Sequence, residues 1–270
     1  MPDFAKIMAH FYKYNAGNPI FLEDAKTPTQ AKKIRGAMPS VTTVLSIMKD
    51  PFLDDIYKPR EMTKIAREKP NLHWRDVKDL TYGLREHPFT GDMIPSSEFG
   101  TAVHKRIEEY VNADINESKI ESRGAWDDWA EPFILWCREQ GVTLIASEHM
   151  IGNDKLRLVG SVDFIGKDAS GEVFLADYKC RSNCKGKAKV YDKDLYQLAI
   201  EAWMLREATN PVLDYIPGCI SVCIDSDTCE HFHKVWSPEE ILHGIEVAKL
   251  CSKIYWKTRM LNKNDIHKKK

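Results

Sequence analysis

Two aspartates and a lysine stand close together along a stretch of the chain that reads as paired strands. Gly160-Ser161-Val162-Asp163 lies near the middle of one apolar stretch, and Leu175-Ala176-Asp177-Tyr178-Lys179 closes the next. A hairpin joining the two stretches can bring Asp163 and Asp177 to one face. Lys179, two residues beyond Asp177, returns to that same face by the two-residue period of a strand. Carboxylates held within a few Å of each other repel and raise each other's pKa unless a cation lies between them. Carboxylate oxygens without a Cys or His cluster suit hard Mg²⁺ or Mn²⁺. Such an ion polarises a scissile phosphate and makes an attacking water more acidic. An ammonium beside it orients that water or stabilises the growing negative charge. The chemistry this grouping suits is phosphodiester hydrolysis. An Asp-x-Lys triplet also occurs as a plain ion pair on surface hairpins, but here the apolar run Val173-Phe174-Leu175-Ala176 buries the strand that carries it.

The elements that position these groups follow from periodicity. Leu144 to Ile151 alternates as a strand, Leu156 to Ile165 reads as the next and Glu172 to Tyr178 as a third. Gly152-Asn153-Asp154 and Lys167-Asp168-Ala169-Ser170-Gly171 mark the turns between them. Upstream, Ser96-Ser97-Glu98 opens a helix with Phe99, Val103, Ile107, Tyr110 and Val111 on one stripe. A second helix spans roughly 121–140, with Trp126, Trp129, Phe133, Leu135 and Trp136 as core candidates. Downstream come a helix over 193–209, strands over 219–225 and 231–236, and a helix capped at Ser237-Pro238-Glu239-Glu240 that reaches about Met260. The fold class is α/β or α+β, with a central mixed sheet of about five strands flanked by helices.

Residues 1–38 read as an irregular arm. In Pro39-Ser40-Val41-Thr42-Thr43-Val44-Leu45, Ser40 or Thr42 can cap a short helix that turns Val44, Leu45 and Met48 inward. The rest of 39–95 reads as a helical insert dense in cations and rings, among them Tyr57, Lys58, Arg60, Lys64, Arg67, Trp74, Arg75, Tyr82 and Arg85. Cations meet phosphates and rings meet bases, so the insert suits a nucleic-acid strand; a solvated amphipathic insert has the same composition. Residues 96–260 form the core and 261–270 a basic tail. With no long run of Gly, Ser or Pro, the whole chain, 1–270, reads as one domain.

Lys and Arg total 39 against 40 Asp and Glu, a net charge of −1. That excludes a bulk polycation and leaves room for a local basic channel. No run approaches the eighteen or so apolar residues of a membrane span, so no membrane partner is expected. Seven Cys, an odd number, lie mostly in apolar stretches. They read as buried reduced thiols, and with Asp3 early and no leading apolar run the expected location is cytoplasmic.

Five motifs in order resemble the PD-(D/E)XK nuclease superfamily: Gly100-x-x-x-His104-x-x-Ile107-Glu108, Glu148, Gly160-x-x-Asp163, Asp177-x-Lys179 and Tyr196-Gln197-Leu198. The branch they are most similar to is the RecB-like exonucleases, which include phage exonucleases, CRISPR-associated RecB-like nucleases and mitochondrial genome maintenance exonuclease. The Pro39–Leu45 segment is similar to one found in mitochondrial and phage members. The resemblance implies a restriction-endonuclease-like core in which His104, Asp163 and Asp177 bind Mg²⁺ or Mn²⁺ and the Tyr178 carbonyl completes the shell. Lys179 would be the catalytic lysine. Glu148 would be a further acid or a partner for a Lys, and Glu108 shares the face of His104. Gln197 would hydrogen-bond the site's backbone or a DNA phosphate, while Tyr196 beside it reads as a packed ring. Where the family often carries Tyr four residues after that Gln, this chain has Glu201.

Some members hold an iron–sulfur cluster through one Cys upstream of the helix histidine. Here the first Cys is Cys137, so a cluster is not expected from Cys219, Cys223 and Cys229. Cys180 and Cys184 lack a second pair for zinc. The resemblance thus implies a metal-dependent DNA exonuclease, phage-encoded or acting in recombination, repair or replication. Its partners would be single-stranded DNA or DNA ends and a recombination or single-strand-binding protein. An endonuclease of the same fold and an idle nuclease fold that binds DNA ends or a partner protein are the alternatives. In each case the cations of the insert, with Lys185, Lys187 and Lys189, are expected on the cleft side.

Overall fold

The computed structural model describes residues 10–15, 18–48, 57–73, 77, 80, 81, 83–116, 120, 123–209 and 213–260. Among its described residues the N-terminal segment is not irregular. Strands β1 (Phe11–Asn15), β2 (Asn18–Phe21) and β3 (Ala37–Pro39) form a small antiparallel sheet in the order β2-β1-β3, with α1 (Pro28–Ala31) between β2 and β3. Strands of three to five residues carry too little alternation to be read from sequence. Long-range contacts hold them instead: Phe11 is fully buried, Ser40 N–H donates to the His10 carbonyl at 2.8 Å, and Ser40 bridges Val159 in the main sheet. Ser40 then caps α2 (Val41–Leu45), accepting from Thr43 N–H at 3.1 Å and donating to Thr43 Oγ1 at 2.8 Å.

Among its described residues the segment read as a helical insert contains a helix and a hairpin, and Val77 and Leu80 are helical as well. Helix α3 (Lys58–Glu68) buries none of its side chains. The hairpin is β4 (Leu84–Glu86) paired with β5 (Met93–Pro95), and its Phe89 tip is exposed. Residues 50–56, Trp74, Arg75, Tyr82 and the tail 261–270 lie outside the described residues.

The core follows the periodicity closely. It comprises α4 (Ser96–Ile115), α5 (Asp127–Glu139), β6 (Thr143–Asn153), β7 (Leu158–Lys167), β8 (Val173–Arg181) and α6 (Asp192–Thr209). It continues through β9 (Gly218–Asp225), β10 (His231–Val235) and α7 (Pro238–Tyr255), with a π-helical turn over Trp256–Met260. The sheet order is β10-β9-β8-β7-β6. Neighbours run antiparallel except β8 and β9, which are parallel, with α6 as the crossover between them. Ser237 closes a capping box with Glu240 at the start of α7.

The two sheet faces have different cores. Phe99, Val103, Ile107 and Val111 of α4 and Phe133 of α5 pack on Phe164, Phe174, Ala176 and Tyr178. The other face is more aliphatic: Leu195, Leu198 and Met204 of α6 and Ile241, Ile245 and Ala248 of α7 meet Val162, Ile165 and Leu175. A Cβ on Gly244 would come within 2.8 Å of Ala199 Cβ, so α6 and α7 approach as closely as they do only with glycine there. Leu135 is not a core residue: it faces solvent, 52% exposed, because the stripe of α5 runs through Ala130, Phe133, Ile134 and Cys137. All seven cysteines are free thiols, five of them buried, and Cys229 sits in a left-handed turn after β9, not on a strand.

Candidate active site

Asp163 and Asp177 stand one residue beyond Phe164↔Ala176, the last pair of the β7–β8 ladder. Ladder bonds end there, and side chains take their place: Tyr178 N–H donates to Asp163 Oδ2 at 3.0 Å. Asp163 thereby satisfies a backbone donor that the strands leave open. Ser147, on the neighbouring strand, donates its hydroxyl to the Asp163 carbonyl at 2.9 Å.

Helix α4 delivers His104 over this point. Its Nδ1 lies 3.6 Å from Asp163 Oδ2, and its ring meets the buried Tyr178 ring edge-on at 5.5 Å. An Arg106–Asp127 ion pair fixes α4 against α5. Burial lowers the His104 pKa, Lys179 lowers it further, and Asp163 and the Tyr178 backbone oppose them. The net direction is down, which favours the neutral imidazole that a metal ligand requires.

Glu148 completes a group of three. Single ligand atoms of His104, Glu148 and Asp163 all lie within 4.8 Å of one another. Glu148 has φ of +49°, a left-handed conformation inside a strand that costs a non-glycine residue free energy and is found at functional sites. It follows an irregularity in the β6–β7 register between Leu144 and Ala146. Burial first, then the charges of Asp163 and Glu108, push its carboxyl up to about 7, against a hydrogen bond from the Ser161 hydroxyl at 3.0 Å. Glu108 thus acts on the group through its charge, from one turn beyond His104.

Asp177 is not one of that three. It is 1% exposed, and its Oδ1 takes the Lys179 ammonium at 2.5 Å. Its Oδ2 is buried without a hydrogen-bond partner. Burial pushes its pKa up and Lys179 opposes that, while the flanking acids hold Lys179 firmly protonated. The Lys179 side chain remains 31% exposed, so the pair is a carboxylate locked behind an accessible ammonium. The donor set of one imidazole nitrogen and two carboxylate oxygens, with an orphaned carboxylate oxygen in the neighbouring residue, fits a divalent cation.

Gln197 and Tyr196 lie on α6. Gln197 Nε2 donates to Glu201 Oε1 at 3.5 Å. Tyr196 packs against the core and meets His243 edge-on, as a structural ring does. After β8, the loop 182–191 leaves Lys185, Lys187 and Lys189 exposed. It is anchored at both ends. Arg181 grips Asp194 with two bonds of 2.8 and 2.9 Å and lies over the Tyr191 ring, and Cys184 N–H donates to Asp225 at 2.8 Å.

Three side chains of this region escape a motif search. Ser161 is two residues from Asp163, and the strand period points to it. Tyr12 comes from the N-terminal sheet, where burial and then the Glu148 charge raise its pKa; nothing local marks it. Glu201 is marked only as a departure, an acid in an apolar stretch of helix where the resembled family often carries Tyr.

A family model described as PD-(D/E)XK nuclease superfamily matches residues 79–219, just over half of the chain. No curated protein matches the sequence. Similar solved structures include that of SSO0001, at 16% identity over 79% of this chain and 82% of that one, with a TM-score of 0.33. Another is the alkaline exonuclease LHK-Exo from Laribacter hongkongensis, at 12% identity over 80% of this chain and 97% of that one, TM-score 0.33. LHK-Exo is also known in complex with dAMP, a structure at 13% identity, the same coverage and TM-score 0.33. A mixed five-stranded sheet flanked by helices, with an Asp-x-Lys strand at its centre, is the nuclease architecture, and this chain belongs to the PD-(D/E)XK nuclease superfamily.

Proposed function

We propose that this nuclease is a metal-dependent DNA exonuclease of the RecB-like branch, hydrolysing phosphodiester bonds from a DNA end. The observation that carries this reading is the meeting of His104, Glu148 and Asp163 beside the Asp177–Lys179 pair. In it, His104, Glu148 and Asp163 hold Mg²⁺ or Mn²⁺, with Asp177 Oδ2 and the Tyr178 carbonyl as further oxygens. When bound, the cation polarises the scissile phosphate and acidifies a water. The protein's own groups do the rest. Lys179, fixed by Asp177, stabilises charge on the phosphate or orients the water, and the ion pair leaves it no freedom to swing away. His104 stays neutral between Asp163 and Tyr178. Gln197 holds a phosphate of the strand from the α6 side.

The exposed lysines of the 182–191 loop begin six residues after Lys179, and with the cations of α3 they supply the path for the DNA backbone. The absence of a base-reading motif in the sequence fits cutting without sequence preference. DNA, single-stranded or at an end, is the substrate in this reading, and a recombination or single-strand-binding protein the partner that delivers it during recombination, repair or replication.

The test is a time course with 5′- and 3′-labelled single and double strands and closed circles, in Mg²⁺, Mn²⁺ or chelator. Loss of label from linear DNA with circles intact, abolished by chelator, is expected. Equal cutting of circles would make the protein an endonuclease, and binding without cutting in either metal would make it an idle fold.

A further inference from the structure

Glu201 is an acid that packing alone does not call for. It is 2% exposed on α6, between the buried Leu198, Ala199, Ala202 and Leu205. Among the described residues no cation forms an ion pair with it. A buried carboxyl without such a partner costs free energy that a leucine in the same place would not. Two features of the surroundings accommodate it. A Cβ added to Gly160 on β7 would lie 3.0 Å from Glu201 Cγ and 3.2 Å from Oε1, so the strand is glycine where this side chain crosses it. The φ of Gly160 lies outside the left-handed region, which makes space, not backbone freedom, the reason for glycine there. The second feature is Gln197, one turn earlier on α6, whose amide nitrogen donates to Glu201 Oε1. Glu201 thus crosses β7 three residues before Asp163, where Asp177, Asp163 and Lys179 also act electrostatically on its buried carboxyl.

We propose that Glu201 is a positioning residue: seated over Gly160, it holds the Gln197 amide in the orientation that meets a phosphate of the DNA strand. The inference rests on the DNA exonuclease reading given above, in which Gln197 touches the substrate. It assigns a role to Gly160 as well, as the residue that makes room for the acid. An unrestrained glutamine would lose side-chain entropy on each binding event, whereas one already tethered loses less. The tether therefore acts on strand binding and leaves the reacting atoms alone.

The experiment compares E201M, which fills the same space without an acceptor, E201Q, which keeps one, Q197A and the Q197A/E201M double variant. Folding is checked for each by circular dichroism and thermal melting. The readouts are steady-state cleavage of a labelled single strand and equilibrium binding of that strand by fluorescence anisotropy with Ca²⁺ in place of Mg²⁺. Expected are a KM and a binding constant about three- to tenfold weaker in E201M, the worth of one hydrogen bond, with kcat within about twofold. E201Q should restore both constants, and the double variant should be no weaker than Q197A alone. G160A should weaken binding as E201M does, and G160A/E201A, which removes the Cγ that the added methyl would meet, should melt higher than G160A. E201M binding as tightly as wild type, or penalties in the double variant that simply add, would overturn the inference while leaving the nuclease reading intact. A wild-type protein that neither binds nor cuts the strand would overturn both.

Discussion

His104 and His233 both sit beside aromatic rings, with different results. His104, over the centre of the sheet, meets Tyr178 edge-on and lies 3.6 Å from Asp163, with Glu148 alongside. His233, on the edge strand β10, stacks on Trp136 at 4.4 Å, and its Nε2 lies 3.0 Å from His231 Nδ1. Burial lowers the pKa of both. What separates them is the company of carboxylates: around His104 they converge, whereas His233 has His231 beside it, and the Glu139 charge of α5 acts on His231. Burial alone makes a neutral imidazole; the convergent carboxylates beside His104 are what make that place a candidate for a cation.

Removing the central charges should break this contrast most severely. D177A and K179A are expected to lose at least about a hundredfold in kcat, the scale of deleting one preorganised stabilising group, measured by initial rates on linear DNA. D177A leaves the Lys179 ammonium unpaired and K179A leaves a buried carboxylate unpaired, so melting temperatures should fall as well. A smaller effect separates the two histidine sites directly. H104A and E148Q should weaken Mn²⁺ binding by about a hundredfold, the upper end for substitutions around a metal site, whereas H231A and H233A should leave it unchanged. Calorimetric titration of the metal alone reads this without any cleavage, and an equal loss at both sites would dissolve the distinction.

The smallest effect concerns the edge pair. Burial, then the neighbouring His231, lowers the His233 pKa from 6.5 to about 4. The unfolded chain therefore binds a proton there between about pH 6.5 and 4 that the folded chain does not. Stability from this residue is complete above 6.5 and declines as the pH falls through that window. H233F, which keeps a ring on Trp136, should flatten the acid limb of a urea-denaturation series, and an unchanged limb would show that His233 does not titrate on unfolding.

Much of this protein is legible in its sequence. Every element from α4 to α7 follows from local periodicity and turn residues, because a strand's two-residue and a helix's 3.6-residue period are properties of short segments. The same period places Asp163, Asp177 and Lys179 around one hairpin, and the order of motifs names the superfamily. The N-terminal sheet was not legible, since three short strands hold together through Phe11, Ser40 and Val159, residues far apart in the chain.

The site divides in the same way. The resemblance to the superfamily marks His104 as a candidate but leaves Glu148 undecided between a further acid and a lysine's partner. Its meeting with His104 and Asp163 depends on a left-handed φ at Glu148 and on a helix locked by Arg106 and Asp127. Glu201 was legible only as a departure from a pattern. Its seat over Gly160 joins positions 41 residues apart, and packing across the sheet settles such a pairing. Residue types and their local order thus set which chemistry is available, while which acid faces which partner was left to contacts between distant segments, where no local period reaches.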